Sequence, residues 1–161
     1  MPVTVKKVAL WRKEVENRPG TLAEALDPLA AAGANLRVVM GYALPHQPGR
    51  SVIEVFPVTG KRATAAALGV GLGVSSIPCL VVEGDDRPGL GSRMARAVAG
   101  EGVNLAFLMA ETVGRRFSAV FGFENDADAE KAIRAIKAAS KPEKKPAKKK
   151  AGKKAAKKRR R

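Results

Sequence analysis

The sequence contains few of the side chains on which most active sites and metal sites depend. It has one cysteine, Cys79, and one histidine, His46. A single cysteine excludes an internal disulfide, and no cysteine or histidine spacing predicts a zinc site. No Ser/His/Asp or Cys/His arrangement offers nucleophilic catalysis. We therefore expect no enzymatic activity, no metal and no cofactor, and we interpret Cys79 as a small core residue.

Large rings and long hydrophobic runs are also scarce. Aromatic residues make up only 4% of the chain, so the core must be built from Ala, Val, Leu and Ile. No segment approaches the roughly 20 apolar residues that span a bilayer. Residues 1–17 lack the apolar stretch of a signal peptide. These absences predict a soluble cytoplasmic protein.

Acidic residues nearly disappear at the C-terminal end. Residues 141–161 contain 13 Lys and Arg against one acid, Glu143, and so hold most of the net charge of +15. A segment with no apolar residue larger than Ala cannot bury a core, so we expect a disordered basic tail over residues 140–161. Its composition resembles the tails of linker histones and of some bacterial nucleoid-associated proteins. The residues expected to bind nucleic acid are Lys148, Lys149, Lys150, Lys153, Lys154, Lys157, Lys158, Arg159, Arg160 and Arg161.

The tail has two competing interpretations. Its cations would contact phosphates of DNA or RNA nonspecifically, with an affinity that falls as salt rises. Alternatively, the tail only solubilises the protein and has no dedicated partner. We expect no membrane partner, because no amphipathic face or lipidation site accompanies the charges.

The chain does contain an internal repeat. The tripeptide Arg-Pro-Gly at residues 18–20 returns at residues 87–89, which is 69 positions later. Four further residues of the first copy recur at the same offset: Ala30, Gly33, Asn35 and Leu36 match Ala99, Gly102, Asn104 and Leu105. Small and turn-forming residues repeated in one register indicate two copies of one structural unit.

Each copy predicts the same order of elements: a strand, the Arg-Pro-Gly turn, an amphipathic helix, a β-hairpin and a second helix. Apolar side chains recur at helical spacing from Leu22 to Leu29 in the first copy. Gly33 and Gly102 are predicted to end the first helix of each copy in the left-handed conformation. Asn125 is predicted to cap the last helix.

Each unit requires one further strand to close its sheet. Residues 73–76 can supply it in the first copy, but the second copy runs directly from its last helix into the basic tail. Val5 aligns with Val74 at the offset of the repeat. The sequence therefore predicts that residues 3–6 cross over and close the second sheet.

The segments ENRPGTLAEALDPLAAAGANL and DDRPGLGSRMARAVAGEGVNL, each placed between a strand and a hairpin, resemble the ACT domain. The resemblance covers residues 3–139. It implies an α+β fold of two ferredoxin-like βαββαβ units with antiparallel sheets, formed by residues 1–73 and 74–139. It also implies that a small molecule, most often an amino acid, binds at the strand-to-helix loops and the neighbouring strands.

The Arg-Pro-Gly turn has physical features that favour a ligand site. The prolines are predicted at the first helical position, where a missing N–H costs nothing. The glycines lack a Cβ, so a ligand can approach the backbone. The free amides that follow would lie at the positive end of the helix dipole, which favours a carboxylate. The predicted ligand-binding residues are Asn17, Arg18, Pro19, Gly20, Thr21, Leu22, Asp86, Arg87, Pro88, Gly89, Leu90 and Gly91.

Several polar residues near these turns have two interpretations. Asn17, Asp85 and Asp86 either cap the helices or bind the amine of a ligand. Asn35 and Asn104 either satisfy backbone groups where the helix ends or contact a ligand.

The leading functional hypothesis is a noncatalytic regulator that binds a small molecule and acts through a partner or through homo-oligomerisation. Its tail would tether it to nucleic acid. The alternative is a nucleic-acid-associated protein that uses the ACT pair only as an oligomerisation scaffold. A detached regulatory subunit of a biosynthetic enzyme is a third class that the sequence allows.

Overall fold

The structure, a computed structural model, describes residues 2–141. The nucleic-acid-binding residues predicted in the basic tail lie outside the described residues. The strands are β1 (Thr4–Val8), β2 (Trp11–Glu16), β3 (Val38–Ala43), β4 (Arg50–Phe56), β5 (Gly73–Val74), β6 (Cys79–Asp85), β7 (Phe107–Val113) and β8 (Arg116–Gly122). The helices are α1 (Thr21–Ala31), α2 (Lys61–Gly69), α3 (Leu90–Gly100) and α4 (Asp126–Ala139).

The strands form two antiparallel sheets of four strands each. Their orders are β3-β4-β2-β5 and β1-β6-β8-β7. In both sheets the first and third strands of the repeat lie in the centre, and the second and the closing strands form the edges. This order is ferredoxin-like, so the predicted fold class of two α+β units is confirmed.

The N-terminal strand closes the second sheet, as the repeat predicted. β1 pairs with β6 in a register that runs from Thr4 opposite Glu83 to Val8 opposite Cys79. Val5 packs against the core of the second unit. In the first unit the closing strand is β5, which pairs with β2. The two units are therefore interlocked through the start of the chain.

The helix ends follow the sequence signals at three positions. Gly33 and Gly102, each following the C-cap residue of α1 or α3, have φ of +81° and +67°. The side chain of Asn125 caps α4 by accepting a hydrogen bond from the amide of Asp128 at 2.9 Å. These predictions are confirmed. Within residues 2–141, no helix is long and apolar enough to cross a bilayer.

One face of each sheet is covered by two helices. Ile53 and Val55 of β4 face α1 and α2 in the first core. Leu80 and Val82 of β6 lie in the second core, which contains residues from α3 and α4. Side chains alternate between the two faces of a strand, so the residues between these positions face the other way.

The two sheets pack on each other through these opposite faces. Val38 and Met40 of β3 share a buried cluster with Cys79 and Val81 of β6 and with Val120 of β8. The molecule therefore has four layers, helix, sheet, sheet and helix. Burial of apolar surface on both faces of each sheet, at about 25 cal/mol per Å², stabilises this arrangement.

Candidate functional site

Two grooves occupy equivalent positions in the two units. Each groove lies at the start of the helix that follows Arg-Pro-Gly, beside an edge strand, β3 or β7. We call the one in the first unit groove 1 and the one in the second unit groove 2. Their volumes are about 230 and 410 Å³. Seven predicted ligand-binding residues line them: Asn17, Arg18, Thr21 and Leu22 in groove 1, and Asp86, Leu90 and Gly91 in groove 2.

The Arg-Pro-Gly turn ends in a glycine whose conformation other residues rarely adopt. Gly20 and Gly89 are the N-cap residues, with φ of +91° and +77°. Each helix begins at the residue after its glycine. The prediction that Pro19 and Pro88 occupy the first helical position is therefore wrong. Both prolines lie before the cap and fix the backbone of the turn.

The first amide of each helix is not free. The N–H of Thr21 donates to the carbonyl of Arg18 at 3.5 Å, and the N–H of Leu90 donates to the carbonyl of Arg87 at 3.0 Å. The expectation that these two amides point to a ligand is therefore wrong, because the turn closes on itself. Because both N-cap residues are glycines, no N-cap side chain bonds the remaining first-turn amides of either helix.

The polar residues before the turn are held by their backbone. The N–H of Asn17 donates to the carbonyl of Gly49, and that of Asp86 donates to the carbonyl of Arg115, both at 2.8 Å. These bonds fix each turn to the hairpin of its own unit. The interpretation of Asn17, Asp85 and Asp86 as helix caps is wrong, because the cap positions are glycines further along the chain.

The two arginines of the repeated motif take different positions. Arg18 lines groove 1 and donates to both carboxylate oxygens of Glu24, at 2.8 and 2.7 Å. This hydrogen bond lowers the pKa of Glu24 and raises that of Arg18. Arg87 instead donates to the carbonyl of Ser140, after α4, at 2.6 Å. The motif therefore places a guanidinium beside groove 1 and not beside groove 2.

A buried polar pair lies under groove 1. Tyr42, which contributes to the groove, donates its hydroxyl to Oε2 of Glu54 at 3.0 Å. Glu54 is 0% exposed, and its Oε1 lies 3.7 Å from Nε of Arg12. Burial raises the pKa of Glu54, and it raises the pKa of Tyr42 to about 12. Sequence analysis missed this pair, although a lone acid in the apolar run of β4 was a signal for it.

Several groove residues come from the edge strands and were not predicted individually. Gly41 leaves groove 1 open, because a Cβ built there meets no atom within 4 Å. Leu108, Ala110 and Thr112 line groove 2 from the equivalent strand. These three residues alternate along β7, so the sequence indicated that they lie on one face of the strand. Only the order of strands in the sheet shows that this face lies beside the start of α3.

The described residues contain no metal cluster and no activated nucleophile. No group of three or more His, Cys, Asp or Glu in residues 2–141 is arranged to hold a metal ion. Cys79 is fully buried, and burial together with the nearby Glu54 raises its pKa to about 12. Its thiol is therefore not a reactive thiolate at neutral pH. The two grooves offer binding surfaces.

Comparison with solved structures shows that this fold recurs. The chain is similar to a protein from Bacteroides thetaiotaomicron, with a TM-score of 0.66 and 18% identity over 84% of this chain and 89% of that one. It is similar to the ligand-free regulatory subunit of aspartate kinase from Thermus thermophilus, with a TM-score of 0.58 and 20% identity over 88% and 98% of the two chains. It is also similar to the regulatory subunit of aspartate kinase from Thermus flavus, with a TM-score of 0.54 and 22% identity over 86% of this chain and 97% of that one.

These similarities concern structure. No protein-family model and no curated protein matches the sequence. At identities of 18 to 22%, the TM-scores of 0.54 to 0.66 establish a common fold. The chain therefore has the fold of two ACT-type units, which it shares with regulatory subunits of aspartate kinase.

Proposed function

We propose that this protein is a noncatalytic regulator that binds an amino acid in a groove of its ACT pair. The observation that supports the proposal is an open groove beside an uncapped helix start in both units. First-turn amides attract a carboxylate, and the edge strand beside them can contact a ligand side chain. The dipole contributes only about 0.3 to 1 kcal/mol, so the groove walls must supply most of the affinity.

The solved structures support a regulatory role. Two of the similar chains are regulatory subunits of aspartate kinase, and this chain covers 98% and 97% of their lengths. A regulator of this kind would act by reporting bound ligand to a partner. That partner is a biosynthetic enzyme or a second copy of this chain.

A thermal-shift screen against the twenty amino acids tests this function. A ligand at 100 times its Kd raises the free energy of unfolding by about 2.7 kcal/mol. For a chain of this size each kcal/mol raises Tm by roughly 2 to 4 °C. We expect at least one amino acid to shift Tm by several degrees.

Two groove-filling variants give this screen its control. Gly41→Val narrows groove 1 and Gly91→Leu narrows groove 2, and a Cβ at either glycine meets no atom within 4 Å. The double variant should fold and lose the shift. Gly100→Ala, at the far end of α3 and equally unobstructed, should keep it. A shift that persists in the double variant would place the ligand elsewhere.

The exposed edge of the second sheet supports homo-oligomerisation. β7 is an edge strand, and Leu108, Met109 and Val113 on it are 48, 46 and 72% exposed. An unpaired strand with apolar side chains is a template for pairing with another chain. Light scattering of the protein and of Val113→Lys tests this, and we expect the variant to shift toward monomer. An unchanged mass would place the contact at another surface.

A second candidate function rests on the charge of the tail. Residues 142–161 hold most of the basic residues of the C-terminal run. If the tail contacts six or more phosphates, an increase in salt from roughly 50 to 200 mM would weaken DNA binding by about a thousandfold or more. We expect deletion of residues 142–161 to abolish DNA binding and to leave amino-acid binding unchanged. Salt-sensitive binding without any amino-acid response would favour the scaffold alternative.

A further inference from the structure

One position of the repeat separates the two grooves sterically. The second residue of α1 is Leu22, which is 43% exposed and lines groove 1. The equivalent residue of α3 is Gly91, and nothing lies within 4 Å of a Cβ built on it. The missing side chain agrees with the larger volume of groove 2, about 410 against 230 Å³. Small-molecule pockets span roughly 300 to 1,000 Å³, so groove 2 falls within this range and groove 1 falls below it.

The walls of groove 2 are mostly apolar. Leu90, Met94, Phe117 and Phe121 line it and are each less than a tenth exposed. Leu108 forms the opposite wall on β7. Groove 1 is lined by more polar side chains, which include Asn17, Thr21 and Ser51. An apolar ligand group therefore finds the more apolar walls in groove 2.

The charges of the two grooves also differ. Both charged residues that line groove 2, Asp86 and Glu111, are acidic. Arg87 is turned away to the carbonyl of Ser140. Within residues 2–141, no hydrogen bond or ion pair engages the carboxylate of Asp86. Groove 1 is lined by one acid and one base, Glu16 and Arg18, and the Arg18 guanidinium is paired with Glu24. Groove 2 therefore complements a cationic ligand group.

We propose that groove 2 is the ligand site of this protein and that its ligand is an amino acid with a branched aliphatic or aromatic side chain. The proposal rests on the proposed function and adds the unit and the ligand class. The side chain lies against Met94 and Phe121, and the ammonium faces Asp86. The carboxylate faces the first-turn amides of α3, which no side chain caps. Leu22 excludes the same ligand from groove 1.

Isothermal titration calorimetry with three related probes tests the ligand class. The probes are L-leucine, 3-methylbutylamine, which lacks its carboxylate, and 4-methylpentanoate, which lacks its ammonium. We expect one L-leucine per chain. The Asp86→Asn variant should bind L-leucine and 3-methylbutylamine about tenfold more weakly, because both have an ammonium that loses its charged partner. Its affinity for 4-methylpentanoate, which has no ammonium, should not change.

Groove variants test the choice of unit. Gly91→Leu should lower the affinity for L-leucine at least about tenfold, because the new side chain occupies the space of the ligand. Gly41→Val and Gly100→Ala should leave its affinity within about twofold. Loss of binding in Gly41→Val with normal binding in Gly91→Leu would overturn the inference and keep the proposed function. So would tighter binding of L-aspartate than of L-leucine. If none of the twenty amino acids binds the wild-type protein, the proposed function itself fails.

Discussion

At the scale of single residues, Glu54 has the most unusual surroundings. It lies fully buried between the sheets, where it accepts a hydrogen bond from the Tyr42 hydroxyl and lies 3.7 Å from the guanidinium of Arg12. Its charge also raises the pKa of the Cys79 thiol. Its Oε1 and the Nε of Arg12 have no hydrogen-bond partner within the described residues. A buried carboxylate with incomplete hydrogen bonding is costly. Burial accordingly raises its pKa.

This raised pKa predicts a pH dependence that Glu54→Gln removes. The unfolded carboxyl ionises at about pH 4.3, below the folded one, so between the two pKa values the native state binds more protons. Stability contributed by this group therefore decreases as pH rises through that window. Urea unfolding should show the variant gaining stability relative to wild type as pH rises above the pKa of the unfolded carboxyl, about 4.3. A constant or shrinking difference would contradict the account.

Cys79 gives a second prediction at this scale. Because its thiol is 0% exposed and its pKa is raised to about 12, iodoacetamide should not label the native protein near neutral pH. Labelling should become complete in denaturant, as measured by mass spectrometry. Rapid stoichiometric labelling of the native protein would show that the interface between the sheets opens.

At the scale of elements, the N-terminal strand determines how the second sheet is closed. Deleting residues 2–8 removes the strand that pairs with β6 and the packing of Val3 and Val5 on the second core. We expect a loss of up to several kcal/mol, since full burial of a Val contributes about 1.5 to 3 kcal/mol and Val3 and Val5 are partly buried. Hydrogen exchange should accelerate first in β6 and β8. Equal or earlier acceleration in β2 and β4 would contradict the crossover.

The repeat explains why this crossover could be predicted from the sequence. Val5 and Val74 align at the offset of the repeat, which indicated the N-terminal segment as the second closing strand. The pairing itself differs by two residues, because Val74 lies opposite Trp11 whereas Lys7 lies opposite Leu80, the equivalent of Trp11. The start of α1 was misplaced by comparison. A proline before glycine fits both a first helical turn and a turn ahead of the cap, and only the left-handed φ of Gly20 distinguishes them. Local sequence signals therefore predicted the order of helices and strands correctly, but not the hydrogen bonding of the first amide of each helix.

At the scale of the whole molecule, the packing of one sheet on the other was not predicted. The sequence indicated two similar units but not the face that Val38 and Val81 share. Arg37 and Glu83 add an ion pair between the units. Each groove, in contrast, is formed within its own unit, where the folded sheet brings the edge strand beside the helix start.

The shared strand and the shared interface predict cooperative unfolding. The two units have separate helix-side cores, yet β1 belongs to the second sheet and the cluster between the sheets contains residues of both units. Calorimetry should therefore show one transition whose calorimetric and van't Hoff enthalpies agree. Two resolved transitions would indicate that the units fold independently.

The central claim is that the protein binds an amino acid in a groove of its ACT pair, and a ¹⁵N-resolved NMR titration with amino acids tests it most directly. The amides of Gly20, Gly89 and Gly91 lie at these corners. The account predicts that an amino acid with an apolar side chain moves the resonances of residues 89–91 and of β7 in a saturable manner. The absence of shifts with every amino acid, or saturable shifts centred away from both grooves, would contradict it.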